Sequence, residues 1–235
     1  MVSENYFVNH PVFLKYKRHF DWKAFRKKSF LKRVVVNERI IEIPFTIKAL
    51  TAIHDGGKVL DLGCMESTLP LFMAGLGFQV TGFDFREYPY VMPNFEFVKG
   101  DILKLPFADD TYDAVTCVST LEHIGIGFYD DPQNSAQPDF LAMTQIRRVL
   151  RPGGLLVLSV PFGQFHVNHQ QRVYDHARLT QLLESFSVLT MDYYQNMHNA
   201  SANNYWKKIP LNVATEISYA QGTECVCCVT ARKKA

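Results

Sequence analysis

Three acidic residues, Asp61, Asp84 and Asp101, each follow a short apolar run that is typical of a buried strand. Asp84 follows the first of these runs by about 20 residues, a distance at which an acid commonly reaches a ribose diol in dinucleotide-binding folds. A carboxylate in such a place loses hydration and needs donors, which ribose hydroxyls and an exocyclic amine supply. Packing alone does not require three acids in this order, so the sequence predicts a nucleoside-like ligand.

These acids are separated by a regular alternation of strand-like and helix-like segments. Five strands are predicted in "KVLDLGC", "FQVTGFD", "FEFVKGD", "YDAVTCVST" and "LLVLSVPFG". Two more are predicted in "VLTMDYYQN" and "TECVCCVTARK", around the polar loop "MHNASANNYWKK". The predicted helices are "STLPLFMAGLG", "PDFLAMTQIRRVLRPGG" and "DHARLTQLLESF", the last capped by Asp175. The sequence therefore predicts an α/β fold with a Rossmann-like, doubly wound, mostly parallel sheet of seven strands and an N-terminal helical extension.

The predicted sheet brings the acids together. In an open parallel sheet, ligands bind beyond the carboxyl ends of the strands, where the strand order reverses. Because each acid follows a predicted strand, we expect all three at that edge. The residues at the ends of the strands are therefore the candidate site.

The N-terminal part of the chain is strongly basic. Residues 10–33 contain nine Lys or Arg and one acid, although the net charge of the chain is only +2. Six aromatic residues lie among these cations, a pattern that suits a membrane surface, a phosphorylated substrate or nucleic acid, and equally a helical arm packed on the main domain. One or two helices are predicted next, interrupted by Pro44. Residues 1–55 are predicted as the extension and 56–235 as the main domain.

The composition is that of a globular protein. Of the 235 residues, 47% are apolar and 20% are charged, which is enough apolar material for a large core. No apolar run approaches the roughly 18 residues of a membrane span, and a cytoplasmic location is predicted. The five cysteines are odd in number and lack paired CxxC spacing, so buried, reduced thiols are predicted.

From about Lys58 to Gly163, the chain resembles the class I S-adenosylmethionine-dependent methyltransferases, particularly the small-molecule enzymes of the type 11 kind. The resemblance rests on "VLDLGC", "VTGFD", "FVKGDILKLPFADDTYDAVTCVSTLEHIG" and "RRVLRPGGLLVLSVP". The most specific pieces are "LPFADDTYDAV" before the fourth strand and "RVLRPGG" before the fifth. The resemblance implies S-adenosylmethionine as cofactor and methyl transfer as the reaction.

The same resemblance implies roles for residues at the strand ends. Asp84 should hold the ribose hydroxyls. Asp101 and Ile102 should meet the amino group and the apolar face of the adenine. Ser119, Thr120 and Leu121 should lie where the chain leaving the fourth strand passes the methionine part of the cofactor. The residues expected to contact the cofactor are Asp61, Gly63, Cys64, Asp84, Phe85, Asp101, Ile102, Ser119 and Leu121.

The cofactor loop departs from the DxGxGxG pattern of that family. Here the pattern has Asp61 and Gly63, but Met65 and Ser67 replace two glycines. In one interpretation Met65 and Ser67 adopt ordinary backbone angles and Ser67 caps the next helix. In the other the loop has closed and the domain no longer binds the cofactor. The retained acids at the next two strand ends favour the first interpretation.

Histidines near the fourth and fifth strands are candidates for catalysis and acceptor binding. His123, in "STLEHIG", is the candidate general base, because imidazole titrates near neutral pH, and Glu122 is its alternative. A histidine that only hydrogen-bonds within its turn is an equally simple interpretation. The polar stretch after the fifth strand supplies the candidate acceptor-binding residues His166, His169, Arg172 and Tyr174. A plain surface loop is the alternative interpretation of this stretch. The two histidines of "HVNH" have no identifiable partner ligands, so no metal site is predicted.

The predicted acceptor is a small or sugar-like molecule with a hydroxyl, such as a sugar of a glycan, which could carry a phosphate. The chain lacks the Asn/Asp-Pro-Pro-Tyr/Phe motif and the Pro-Cys nucleophile of enzymes that methylate nucleic acids, which argues against a nucleic-acid substrate. An alternative is a binding or scaffold protein with a degenerate methyltransferase fold, docked on a partner or membrane through its basic arm. A nicotinamide-dependent enzyme is disfavoured because the first strand lacks GxGxxG.

Overall fold

The computed structural model describes residues 37–65, 67–127, 136–197, 205–219 and 223–234. The strands are β1 (Lys58–Leu62), β2 (Gln79–Asp84), β3 (Phe95–Lys99), β4 (Tyr112–Val118), β5 (Leu150–Pro161), β6 (His166–Val167), β7 (Arg172–Val173), β8 (Phe186–Met197), β9 (Tyr205–Ile209) and β10 (Cys225–Lys233). The helices are α1 (Arg39–Leu50), α2 (Leu69–Gly75), α3 (Pro138–Val149), α4 (His176–Leu182) and α5 (Leu211–Ala214), with 3-10 turns at Ile102–Lys104 and Leu121–His123. The predicted alternation of strand and helix is confirmed.

The main sheet has eight strands in the order β3-β2-β1-β4-β5-β10-β8-β9. Strands β3, β2, β1, β4 and β5 are parallel neighbours, and β10 runs antiparallel to both β5 and β8. The strand order reverses between β1 and β4, since the chain builds outward from β1 to β3 and then returns. The predicted mostly parallel, doubly wound fold is confirmed, with eight strands rather than seven.

The additional strand is β9, which begins inside the segment predicted as a polar loop and ends one residue beyond it. Its sequence, "YWKKI", has two exposed lysines and a single buried residue, Ile209. This polar composition does not indicate a strand. At the edge of the sheet such exposed side chains are tolerated, and charged residues are common there. Lys208 Nζ lies 2.8 Å from Asp192 Oδ1 on the neighbouring β8.

Apolar side chains cover both faces of the parallel strands, as expected when helices flank a sheet on both sides. Leu60 and Leu62 of β1 belong to one core cluster, which includes Ile146 of α3. Val59 faces the other way, into a second cluster with Met73 of α2 and Leu50 of α1. The alternation of side chains along β1 therefore joins the two helical layers through one strand.

Helix α1 is a single helix, although Pro44 lies inside it. Its buried face includes Glu42, Thr46 and Leu50, so this part of the predicted extension packs on the sheet. Residues 1–36, which include the basic segment, lie outside the described residues. The predicted division at residue 55 stays a prediction.

Two local predictions are confirmed. The carboxylate of Asp175 accepts a hydrogen bond of 2.8 Å from the Arg178 N–H and caps α4. All five cysteines are buried and free. The predicted end of α3 is corrected, because the helix ends at Val149 and the "RPGG" that was expected to close it lies in the first part of β5.

Candidate active site

The carboxyl ends of β1, β2, β3 and β4 meet at one edge of the sheet, because these strands are parallel neighbours. Asp61 lies in β1, Asp84 is the last residue of β2, and Asp101 follows β3 by two positions. The predicted placement of the three acids at successive strand ends is confirmed. Each carboxyl has different neighbours, and these decide what it can bind.

Gly63 begins the loop that follows β1. Its φ is +74°, in the left-handed region that favours glycine. Its N–H donates to the Phe83 carbonyl oxygen at 2.8 Å, which holds the loop against β2. A Cβ at this position would collide with Oγ1 and Cγ2 of Thr120 and would lie 2.8 Å from the Thr120 Cβ. The glycine that the loop retains is therefore at a position that excludes a side chain.

Gly63→Ala should lower the free energy of unfolding by about 2 to 3 kcal/mol, because it adds left-handed strain and an overpacked contact. Gly75→Ala is the matched control, since a Cβ at Gly75 in α2 meets nothing within 4 Å and alanine favours a helix. Urea denaturation of both variants beside wild type measures the difference. Wild-type stability in Gly63→Ala would show that the loop relaxes freely around the new methyl group.

Asp84 is 8% exposed and anchors the glycine-poor loop. Its Oδ2 accepts a hydrogen bond from the Met65 N–H at 2.9 Å, and its Oδ1 accepts one from the Arg86 N–H at 2.9 Å. The Arg86 Nε lies 3.6 Å from the same Oδ1. A carboxylate offers about four lone-pair positions, so it keeps acceptor capacity for two ribose hydroxyls. The side chain fits its predicted role, which stays a prediction.

The two residues that replace glycines in the loop do not strain it. Met65 and Ser67 are not among the described residues with a positive φ. Ser67 Oγ accepts a hydrogen bond of 3.1 Å from the Leu69 N–H at the start of α2, although the N-cap position itself is Thr68. The Tyr88 hydroxyl donates to the Ser67 carbonyl oxygen at 2.8 Å. These contacts agree with the interpretation in which the loop is ordinary in backbone and Ser67 supports α2.

Asp101 and Ile102 lie beyond β3 and are both half-buried. Asp101 Oδ1 accepts a hydrogen bond of 2.9 Å from the Leu103 N–H and caps the short 3-10 turn. Ile102 packs against the core cluster that contains Phe83. Both side chains keep exposed surface at the sheet edge. Their predicted contact with an adenine stays a prediction.

The other cofactor candidates at the first two strand ends differ widely in exposure. Asp61 is 2% exposed, and the Thr116 hydroxyl donates to its Oδ1 at 2.5 Å. Burial raises the pKa of Asp61 to about 7, although Thr116 and Arg39 act in the opposite direction. Cys64 is 1% exposed, and burial raises the pKa of its thiol. Phe85, at 44% exposure, is the most accessible of these side chains.

Asp61 should make the stability of the fold depend on pH. The pKa of its carboxyl is about 7 in the folded chain and has the ordinary value of 3.8 in the unfolded chain. The unfolded chain therefore releases this proton first, and the free energy of unfolding falls as the pH rises from about 4 to about 7. Asp61→Asn keeps an acceptor for the Thr116 hydroxyl but cannot ionise, so its stability should fall less over this window. Urea denaturation at pH 5 and pH 7 measures this, and an unchanged pH dependence in Asp61→Asn would refute the assignment.

The end of β4 is tied to α1 by a buried carboxyl. Ser119 has a φ of +44°, and its hydroxyl donates to Glu42 Oε1 at 2.6 Å. The Ser159 hydroxyl of β5 donates to the same oxygen, also at 2.6 Å. Glu42 is 0% exposed, and burial raises the pKa of its carboxyl. Glu42 could not be identified from the sequence, because an acid within an apolar helical stretch gives no signal for contacts 77 and 117 residues away.

His123 lies in the 3-10 turn that follows β4. Its Nδ1 is 2.7 Å from the Gln170 carbonyl oxygen, and since a carbonyl only accepts, Nδ1 is the donor. Nε2 then carries the basic lone pair of the neutral ring and lies 3.8 Å from Glu122 Oε1. The imidazole therefore has a fixed orientation and an acidic neighbour, two properties of a general base.

Glu122 is the less suitable general base of the two candidates, because its carboxyl holds a proton at neutral pH. It is 2% exposed, and burial raises its pKa to about 8, with Glu42 adding to the shift. Among the described residues, its Oε2 has no hydrogen-bond partner. The carboxyl is therefore mostly protonated at pH 7, and the transfer of a proton to His123 would favour its ionisation.

Arg172 and Tyr174 are 6% and 0% exposed and lie behind the same turn. The Arg172 Nη1 and the Tyr174 hydroxyl lie 3.5 and 3.3 Å from the Leu121 carbonyl oxygen. Asp139 of α3 is also buried and binds Arg178 through two hydrogen bonds of 3.0 and 2.9 Å, with the Arg172 Nε 3.8 Å away. In this structure Arg172 and Tyr174 hold the turn in place, and their direct contact with an acceptor stays a prediction.

His166 and His169 are exposed on the hairpin formed by β6 and β7. Both side chains are accessible to an acceptor. Their role in binding it stays a prediction. In the part of the chain that the structure describes, no three His, Cys, Asp or Glu side chains are grouped so that they could hold a metal ion.

A cavity of about 490 Å³ lies elsewhere, between α4 and the start of β8. It contains none of the predicted site residues. Its lining residues are Ala177, Thr180, Gln181, Leu183, Glu184, Phe186, Val188, Met191 and Lys234. The candidate active site is therefore defined by the side chains at the strand ends, and this cavity is not part of it.

The fold defined by this sheet is shared with solved methyltransferases. An S-adenosylmethionine-dependent methyltransferase from Methanosarcina mazei superposes with a TM-score of 0.55 at 17% identity, over 81% of this chain and 97% of that one. The 1,6-didemethyltoxoflavin-N1-methyltransferase of Burkholderia thailandensis, solved with its acceptor and S-adenosylhomocysteine, gives a TM-score of 0.53 at 15% identity, over 94% and 88%. The chain has the class I methyltransferase fold.

The sequence matches one protein family and is similar to several methyltransferases. The chain belongs to the family described as "Caenorhabditis protein of unknown function, DUF268", which it matches over residues 84–215. It is also similar to the demethylmenaquinone methyltransferase of Beutenbergia cavernae, with 34% identity over 119 residues, 48% of this chain and 44% of that protein. The chain thus spans less than half of the length of that relative.

Proposed function

We propose that this protein is an S-adenosylmethionine-dependent methyltransferase that methylates a hydroxyl group of a small or sugar-like acceptor. The observation that carries the proposal is the Asp84 carboxylate at the end of β2. It is nearly buried and ordered by the Met65 and Arg86 N–H groups, yet retains acceptor capacity for two hydroxyls. The methyltransferase relatives and the solved neighbour with bound S-adenosylhomocysteine support the choice of cofactor.

The residues of the chain divide the work of the proposed reaction. When bound, the cofactor supplies an activated methyl group. Asp84 would hold the ribose hydroxyls, and Asp101 with Ile102 would hold the adenine. His123 would take the proton of the acceptor hydroxyl at Nε2, since Nδ1 already donates to Gln170. The main tasks of the fold are then to position the acceptor and to exclude water.

The relatives act on more than one kind of acceptor. Their names give demethylmenaquinone and 1,6-didemethyltoxoflavin as acceptors of those proteins. The exposed polar hairpin with His166 and His169 supports a hydroxylated acceptor for this chain. The basic segment, residues 10–33, is proposed to bind an acceptor phosphate or a membrane surface. This segment lies outside the described residues.

The proposal extends to the cellular location of the protein. No helix in the described ranges is both long enough and apolar enough to cross a bilayer. We propose a cytoplasmic site of action, where S-adenosylmethionine would be available. Fractionation of cells that express the tagged chain tests this location.

Titration calorimetry with S-adenosylhomocysteine tests the proposed function. We expect saturable binding to the full chain at micromolar to millimolar ligand, followed by turnover in a screen of sugar, phenolic and quinol acceptors with S-adenosylmethionine. The absence of binding at millimolar ligand would exclude the enzyme and leave the scaffold alternative, which docking of the chain on vesicles or a partner would support. Turnover only on carbon or nitrogen acceptors would retain the methyltransferase and exclude the hydroxyl acceptor.

A further inference from the structure

Glu42 on α1 forms a buried polar junction with residues that are distant in the sequence. Its Oε1 accepts hydrogen bonds from the Ser119 and Ser159 hydroxyls, each at 2.6 Å. Its Oε2 lies 3.0 Å from the Arg39 Nη1, and the same Arg39 Nη1 donates to the Val118 carbonyl oxygen at 3.3 Å. One turn of α1 therefore binds the last residue of β4, the residue after it, and the facing residue of β5.

Ser119 is held in an unusual backbone conformation at this junction. Its φ of +44° is costly for a residue with a side chain, so it persists only where its surroundings fix it. The Ser119 N–H is 3.0 Å from Ser159 Oγ, and its hydroxyl donates to Glu42. The Ser119 N–H also lies 3.3 Å from the Ser159 carbonyl oxygen. The hydroxyl of Ser119 thus reaches the Glu42 carboxyl directly, and its N–H reaches it through the Ser159 hydroxyl.

Packing alone does not explain Glu42. Thr46 and Leu50 lie on the same buried face of α1 and already attach the helix to the sheet. A buried carboxylate loses its hydration, and an apolar side chain of similar size often packs as well or better. Three donors converge on this one carboxyl, which is an arrangement suited to fixing the position of the groups that donate. The group whose position has a consequence is Ser119, because it leaves β4 at the edge of the candidate site.

We propose that Glu42 is a positioning residue for the cofactor: it sets the backbone of Ser119, and thereby the surface that receives the methionine part of S-adenosylmethionine. The inference rests on the proposed function. This role makes α1 a part of the site, although α1 comes before every strand of the sheet in the sequence. Glu42 touches no ligand in this scheme and acts only through Ser119 and Ser159.

The test compares two ligands in three variants by titration calorimetry. S-adenosylhomocysteine carries the methionine part, whereas 5′-methylthioadenosine keeps the nucleoside and lacks the amino-acid end. Glu42→Gln has one acceptor oxygen for three donors. Ser159→Ala is the milder change, because it removes the hydroxyl that joins the Ser119 N–H to Glu42 but keeps the Ser159 carbonyl oxygen 3.3 Å from that N–H. Thr46→Val is the control, because Thr46 lies on the same face of α1 and its buried hydroxyl has no partner among the described residues.

We expect Glu42→Gln to weaken S-adenosylhomocysteine at least 10-fold and Ser159→Ala about 3-fold, a loss of 1.4 kcal/mol for each factor of ten. Affinity for 5′-methylthioadenosine should stay within 2-fold in both variants, and Thr46→Val should bind both ligands like wild type. An equal loss for the two ligands, or no loss in either polar variant, would overturn the positioning role while leaving the proposed function intact. If wild type binds neither ligand, the proposed function and this inference both fail. If Glu42→Gln does not fold, the ligand selectivity of Ser159→Ala decides.

Discussion

Asp84→Ala should weaken S-adenosylhomocysteine binding by about 100-fold or more, because two hydrogen bonds to a charged group contribute about 3 kcal/mol in total. The same substitution should lower the free energy of unfolding by about 2 kcal/mol, since the Met65 and Arg86 N–H groups lose their acceptor. Calorimetry and urea denaturation measure the two effects separately. Asp84→Asn should lie between wild type and alanine, because its amide offers a single acceptor oxygen.

Asp113→Ala is the matched control for this substitution. Asp113 is a buried acid at the opposite end of the same sheet, where its carboxylate accepts a hydrogen bond of 2.7 Å from the Lys58 N–H and pairs with Arg151. Its removal should lower stability by a similar amount and leave ligand affinity unchanged. If Asp84→Ala and Asp113→Ala affected binding equally, Asp84 would be a structural residue and not a ribose ligand.

His123→Gln should lower turnover on the acceptor selected by the screen by about 10²- to 10⁴-fold, the usual contribution of a positioned general base. The affinity for S-adenosylhomocysteine should change little, because His123 acts on the acceptor. Glutamine can still reach the Gln170 carbonyl oxygen, so the turn should keep its shape. Steady-state kinetics and calorimetry on the same preparation measure the two quantities.

His54→Gln provides the control for His123. His54 has a side chain that is 60% exposed and lies beside Asp113 at the other end of the strands. Its substitution should leave turnover unchanged. Full turnover by His123→Gln would make His123 a residue that only braces its turn, and the base would then be sought elsewhere.

Much of the site could be predicted because parallel strands bring their carboxyl ends to one edge. Each apolar run is short and is followed closely by its acid, so Asp61, Asp84 and Asp101 could be placed without knowledge of the tertiary packing. The cap of α4 at Asp175 is equally local. These features depend on residues that are near one another in the sequence.

The features that escaped prediction depend on distant partners. Glu42 reads as one acid in an apolar helix until β4 and β5 supply its serines. Arg172 was predicted to bind the acceptor because it lies in a polar stretch, but its charge is buried beside Asp139. Strand β9 was predicted as a loop, because an edge strand tolerates a lysine-rich sequence that does not look like a strand. In each case the burial of a polar group is decided by another element of the fold.

The most direct test of the account is the electron density of a crystal of the full chain grown with S-adenosylhomocysteine. We predict the ligand at the carboxyl ends of β1 to β4, with its ribose hydroxyls on the Asp84 carboxylate and its adenine beside Asp101 and Ile102. Ligand density in the cavity between α4 and β8, or a loop from Gly63 to Ser67 that excludes the ligand at saturating concentration, would contradict the account.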